Sequence, residues 1–163
     1  MFSHVFVLAD DYENSCKFYN ETLSVLDIEV LLKKSPIGNE PMSLYMKKER
    51  KSAFILKPKL RAYLESNDIN SKDTKKKLKS EVINIEEEGP KYKAIYGISF
   101  DATSVQKVEA WYEKCLELGA KRCDDGAPRW REDILPRCYS ASLVDPNGVL
   151  INATFYTGPI FFF

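Results

Sequence analysis

The chain has 163 residues, 44% apolar and 29% charged, with Lys+Arg and Asp+Glu both 24 and zero formal net charge. That is the balance of a globular domain long enough to bury a core, and it gives no electrostatic reason to expect nucleic acid or an anionic membrane as partner. No apolar run approaches the roughly 20 residues that span a bilayer, and a single histidine, His4, narrows the metal and acid–base chemistry on offer.

The segment from Met1 to Leu8 lacks a basic stretch and a small-residue cleavage site, and it runs straight into Asp10 and Asp11. It predicts a strand and not a signal peptide. Tyr12, Cys16, Tyr19 and Leu23 recur at helical spacing, a stripe that predicts a helix packed on a sheet. Asp10 and Glu13 have the spacing of a capping box at its start. Strand-like stretches follow at 28–34, 42–48 and 52–57, separated by Pro36, Gly38 and Pro41 and then by a charge run at 48–51.

Residues 61–92 break this order. They hold Lys72, Lys75, Lys76, Lys77 and Lys79, then Glu86-Glu87-Glu88-Gly89-Pro90. A solvated linker between two units is the plain expectation for such a mixed charge run, with a lid or docking patch as the alternative. Beyond it the pattern begins again. A shift of 93 residues sets His4 against Gly97, Phe18-Tyr19 against Trp111-Tyr112 and Leu23 against Leu116. Val105, Val108, Trp111, Tyr112, Cys115 and Leu116 mark a second helix stripe, with Thr103 and Gln106 as its capping box and Gly119 just past its end. Strands are expected at 121–124, 139–144 and 149–155, the last two joined by the tight turn Asp145-Pro146-Asn147-Gly148.

The expected fold class is therefore α+β, a single two-module domain of two βαβββ units. Module 1 covers about residues 1–60, the insertion 61–92, module 2 about 93–157, and an apolar tail 158–163. Phe161, Phe162 and Phe163 would be costly in water at about 25 cal/mol per Å² of apolar surface. The tail is expected to dock on the body of the protein or on a second copy in a homodimer. Cys16, Cys115, Cys123 and Cys138 are widely spaced with no CxxC, which predicts reduced thiols and a cytoplasmic protein.

Taken together, Ser3-His4-Val5, Phe18-Tyr19 and Asp145-Pro146-Asn147-Gly148-Val149-Leu150-Ile151-Asn152 resemble the vicinal-oxygen-chelate superfamily. This is the group of glyoxalases, bleomycin-resistance proteins and extradiol dioxygenases. Gly126-Ala127-Pro128-Arg129-Trp130-Arg131, followed by Tyr139-Ser140-Ala141, resembles a segment found in its fungal and bacterial members. The resemblance implies that the two modules pair into a curved mixed-sheet half-barrel around one open cleft. It also implies divalent-metal ligands, two imidazoles and a carboxylate, from the first strand of each module and the last strand of the second. Carried over residue by residue, that set falls on His4, Gly97 and Asn152. Glycine has no donor, and a neutral amide is a much poorer ligand than a carboxylate and no general base.

The expectation is accordingly no cofactor and no resident metal, with His4, Asn152, Arg129, Arg131 and Tyr139 lining a ligand-binding cleft. The arginines and the aromatic ring suit a carboxylate or phosphate on a small planar molecule. Their plain alternative is a surface loop paired to Glu132 and Asp133. His4 is the weak candidate for a catalytic base, against a structural role on its strand. Three functions compete: a metal-independent small-molecule binder, a divergent metal-dependent lyase, isomerase or dioxygenase, and an interaction protein on the same scaffold. The partner expected is an unidentified small molecule, with no nucleic acid and no membrane.

Overall fold

Both helices start where a side-chain oxygen takes an orphan backbone N–H. In the computed structural model, helix α1 (Tyr12–Ser24) is capped by Asp11, which accepts from the Asn14 N–H at 3.1 Å; helix α2 (Val105–Glu117) is capped by Ser104, which accepts from the Lys107 N–H at 3.2 Å. The structure describes residues 4–34, 41–47, 53–58, 97–132 and 137–158, with only the backbone described for His4, Phe6 and Lys34. The caps fall one residue later than Asp10 and Thr103. Both sites offer two consecutive capping residues, and the second of each pair is the one with extended backbone.

The helices end alike. The Ala120 N–H donates to the Cys115 carbonyl and Gly119 N–H to Leu116, with Gly119 at φ +93°; Ile28 N–H donates to Leu23 and Asp27 N–H to Ser24, with Asp27 at φ +61°. Each is a Schellman closure, with Gly119 past the end of α2 as its position predicts.

The strands are β1 (His4–Ala9), β2 (Glu29–Lys34), β3 (Pro41–Met46), β4 (Ala53–Pro58), β5 (Gly97–Asp101), β6 (Lys121–Arg122), β7 (Arg129–Trp130), β8 (Cys138–Val144) and β9 (Leu150–Tyr156). They form two sheets, one ordered β1-β4-β3-β2 and the other β5-β9-β8-β6, with β7 also paired to β8. In each sheet the module's first strand lies parallel to its last, and the remaining pairs are antiparallel. The architecture is thus α+β with two equivalent open sheets, as the repeat predicts. One strand is unforeseen: β7, a two-residue piece in the Gly–Pro loop.

Equivalent helix positions are buried in the two modules: Ser15, Phe18, Tyr19 and Thr22 in α1 match Val108, Trp111, Tyr112 and Cys115 in α2. Ser15 and Thr22 tolerate burial because their hydroxyls donate to carbonyls four residues back, at 2.6 and 2.8 Å. The modules share one core. Phe54 lies 4.7 Å from Tyr19, 5.6 Å from Tyr45 and 5.6 Å from Phe100 (ring centroids), so an aromatic chain crosses from β4 to β5. Full burial of each such ring is worth about 1.5–3 kcal/mol.

A polar latch joins the modules as well. Asp145 is 2% exposed, yet its carboxylate accepts four hydrogen bonds. Oδ1 takes the N–H groups of Asn147 (2.9 Å) and Val149 (2.7 Å); Oδ2 takes the Tyr19 hydroxyl (2.6 Å) and the Asn147 amide (3.1 Å). The Asp-Pro-Asn-Gly turn of module 2 is thereby fastened to α1 of module 1. The insertion at 61–92 and residues Phe161–Phe163 lie outside the described residues.

Candidate functional site

A strand's side chains alternate, so register decides which residues share a face. In module 2, Tyr139, Ala141, Leu143, Ile151 and Ala153 are buried in the core against α2. Their neighbours Ser140, Ser142, Asn152 and Thr154, with Gly97 and Ser99 opposite on β5, occupy the face turned away from the helix. Alongside Leu150, Val144 and Asp101, that face carries hydroxyls and one amide: Ser99 Oγ and Thr154 Oγ1 are 3.1 Å apart. In module 1 the corresponding face holds Ala53 and Ile55 of β4 with Leu44 and Met46 of β3. The two helix-free faces are chemically unlike, one mainly apolar apart from Lys57, the other mainly hydrogen-bonding apart from Leu150 and Val144.

Asn152 stands against Gly97. A Cβ added to Gly97 would lie 3.0 Å from Asn152 Nδ2 and 3.3 Å from Leu150 Cδ2, so the amide occupies the space that a side chain on β5 would need. Asn152 Oδ1 is buried and has no hydrogen-bond partner. His4 takes the equivalent first-strand position in module 1, paired in register with Ala53. Among the described residues, no three His, Cys, Asp or Glu side chains converge as a metal cage requires.

The other sequence candidates are dispersed. Tyr139 sits on the helix-packed face, where its hydroxyl donates to Glu109 at 2.9 Å and its ring meets Trp130 edge-on at 5.3 Å. Burial, with Glu109 beside it, raises its phenol above the usual value. Arg129 and Arg131 both turn to Asp125. Arg129 forms an ion pair with it, and the largely covered Arg131 reaches its carbonyl at 3.4 Å and its carboxylate at 3.9 Å. Among the described residues both arginines meet Asp125, at φ +59°; Asp133 lies outside the described residues.

All four cysteines are free thiols, and burial pushes Cys115 well above the ordinary thiol range. A groove of about 480 Å³ along α1, lined by Tyr12, Cys16 and Asn20 with Glu13, Lys17 and Glu21, was not foreseen. Its polar floor is internally satisfied: Ser43 lies 2.9 Å from the Tyr12 hydroxyl and 3.3 Å from Cys16, and Tyr45 donates to Asn20 at 2.9 Å. Burial pushes the Tyr12 phenol up to about 12. No helix among the described residues is long and apolar enough to cross a membrane.

This geometry, two βαβββ units with first and last strands parallel, is that of the glyoxalase/bleomycin-resistance fold. Among solved structures, the chain is similar to a glyoxalase/bleomycin resistance protein from Albidiferax ferrireducens T118, at TM-score 0.65 and 23% identity over 95% of this chain and 98% of that one. It is also similar to a glyoxalase/bleomycin resistance protein/dioxygenase family enzyme from Burkholderia phytofirmans PsJN (TM-score 0.62, 16% identity, 94% and 96% covered). A third likeness is to the fosfomycin resistance protein FosX from Listeria monocytogenes (TM-score 0.55, 11% identity, 98% and 94% covered). No protein-family model and no curated protein matches the sequence.

Proposed function

We propose that this chain binds a small organic molecule between the helix-free faces of its two modules, without a resident catalytic metal. The observation that carries the reading is the Gly97–Asn152 contact. At the two module 2 positions where the resemblance implies ion ligands, one residue offers no donor and the other a neutral amide lodged in the vacated space. These residues do not fit a divalent ion, which favours imidazole or carboxylate over an amide packed on glycine. They fit a neutral hydrogen-bonding floor instead, formed by Asn152, Ser99 and Thr154, with Leu44, Met46 and Ile55 of module 1 as the apolar wall of the proposed site. Such a pair of walls suits an amphipathic ligand, which pockets of this kind orient with a few polar groups. The structural neighbours include a glyoxalase/bleomycin resistance protein and a fosfomycin resistance protein, which supports a small organic molecule as the ligand class.

A thermal-shift screen of small polar and amphipathic compounds, with and without a chelator, tests this. Hits are expected to raise Tm equally in both conditions, because binding to the folded state stabilises it. Asn152→Leu, similar in volume but unable to hydrogen-bond, is expected to lose the shift while staying folded. A zinc or manganese titration that reaches one equivalent per chain, and is abolished by Asn152→Ala, would overturn the reading in favour of a metalloenzyme.

A further inference from the structure

The first sheet ends at β2, and among the described residues no strand pairs with its outer side. Leu31 and Leu32 on this edge are 50% and 43% exposed. Glu29 and Lys33, also exposed, have no ion-pair partner among the described residues. Read in the opposite direction against itself, Glu29-Val30-Leu31-Leu32-Lys33 is self-complementary. About a twofold axis at Leu31, Glu29 faces Lys33 of the other strand, Val30 faces Leu32, and Leu31 faces its own copy. We propose that this edge binds a second copy of the chain, β2 pairing antiparallel with β2.

Charge selects the direction. The antiparallel arrangement makes two Glu29–Lys33 pairs, whereas a parallel in-register one sets Glu29 on Glu29 and Lys33 on Lys33, and like charges directly opposite are destabilising. The remaining edges, β1, β5 and β6, lack this property, β5 having Asp101 as its one charged residue. Strand β6 is Lys121-Arg122, which repels its own copy, and β1 exposes Val5 and Leu8 with no charge pair to fix a register. Leu31 and Lys33 also have no register partner on β3, so the strand is irregular there. Irregular edges resist open-ended stacking. An isologous pair uses up both edges and closes, leaving nothing to propagate. A six-residue strand pair lies below the roughly 1,200 Å² of a standard stable interface, so the dimer forms and dissociates with concentration.

Sedimentation velocity over a concentration series tests the assignment. The wild-type chain is expected to pass from monomer to dimer, with the dimer weakened by salt. Glu29→Lys and Lys33→Glu are each expected to stay monomeric over the same range, because positions 29 and 33 then set like charges opposite each other. An equimolar mixture of the two is expected to dimerise, since opposite charges meet again, and so is the double variant Glu29→Lys/Lys33→Glu. A wild-type chain that is monomeric throughout overturns the proposal. So do single variants that dimerise like wild type, or a mixture that stays monomeric. Circular dichroism verifies that the variants fold; if a single variant does not, the double variant decides alone, its dimerisation supporting the assignment and its folded monomer refuting it.

Discussion

Asp145 illustrates what one residue can settle. A carboxylate removed from water is tolerated only when its lone pairs are filled, and here four donors fill them. Tyr19 is the donor from the other module, and burial together with the Asp145 charge raises its phenol far above the ordinary range, so it keeps its proton. Tyr19→Phe is expected to cost about 1–3 kcal/mol, because it strips a partner from a buried charge. Asp145→Ala is expected to cost more, and the double variant less than the sum, with a coupling of about 0.5–3 kcal/mol by urea denaturation. Strict additivity would show that the two groups do not act together. The residue scale also shows where strand alternation was legible and went unused. In Cys138-Tyr139-Ser140-Ala141-Ser142-Leu143, Tyr139 has the parity of Ala141 and Leu143, which assigns it to the core face. The same parity marks Ser140 and Ser142 as partners of Asn152 and Thr154 on the opposite face.

At the scale of elements, the repeat was readable because helix burial obeys a fixed period, and the same offset recovered both helices at once. Strand β7 escaped because two residues in a Gly–Pro loop carry no period. It is held by contacts distant in sequence: the Arg131 N–H donates to the Cys138 carbonyl at 2.7 Å, and the Ser142 N–H donates to the Gly126 carbonyl at 2.8 Å. Gly126 is required there. An added Cβ would run into the Ser142 carbonyl oxygen and lie 2.5 Å from Cys123 Sγ, and the main chain of a central strand cannot step aside. Gly126→Ala is expected to destabilise by about 1–3 kcal/mol, as overpacking does, and to speed hydrogen exchange at the Ser142 amide. Unchanged exchange there would mean that the loop yields without disturbing β8.

Across the whole molecule, the modules are joined by pairs between equivalent helices. Thr22 and Cys115, matched by the repeat, meet through their side chains, and Glu21 approaches Lys114 at 3.8 Å. Asp27, just past the end of α1, forms an ion pair with Lys107 in the first turn of α2. The hydrogen bond and charge of Lys107 hold the Asp27 carboxyl below its usual 3.8. A carboxylate depressed on folding contributes stability above its unfolded pKa and loses it as pH falls through the folded value. The gap in stability between wild type and Asp27→Asn is therefore expected at pH 7 and should close as the pH falls through the lowered folded value; a gap that persists in stronger acid would assign the effect to the φ +61° backbone instead. The two-module plan was legible because it repeats. The asymmetry of its helix-free faces was not, since it appears only once register fixes which side chains share a wall.

The latch also orders events in time. Tyr19 leaves the ribosome 126 positions ahead of its acceptor. Helix α1 therefore waits on the ribosome with an unsealed flank until the closing hairpin emerges. Contacts that bridge so much chain form slowly. The nascent chain is thus exposed to wrong partners during that interval, before its clasp arrives.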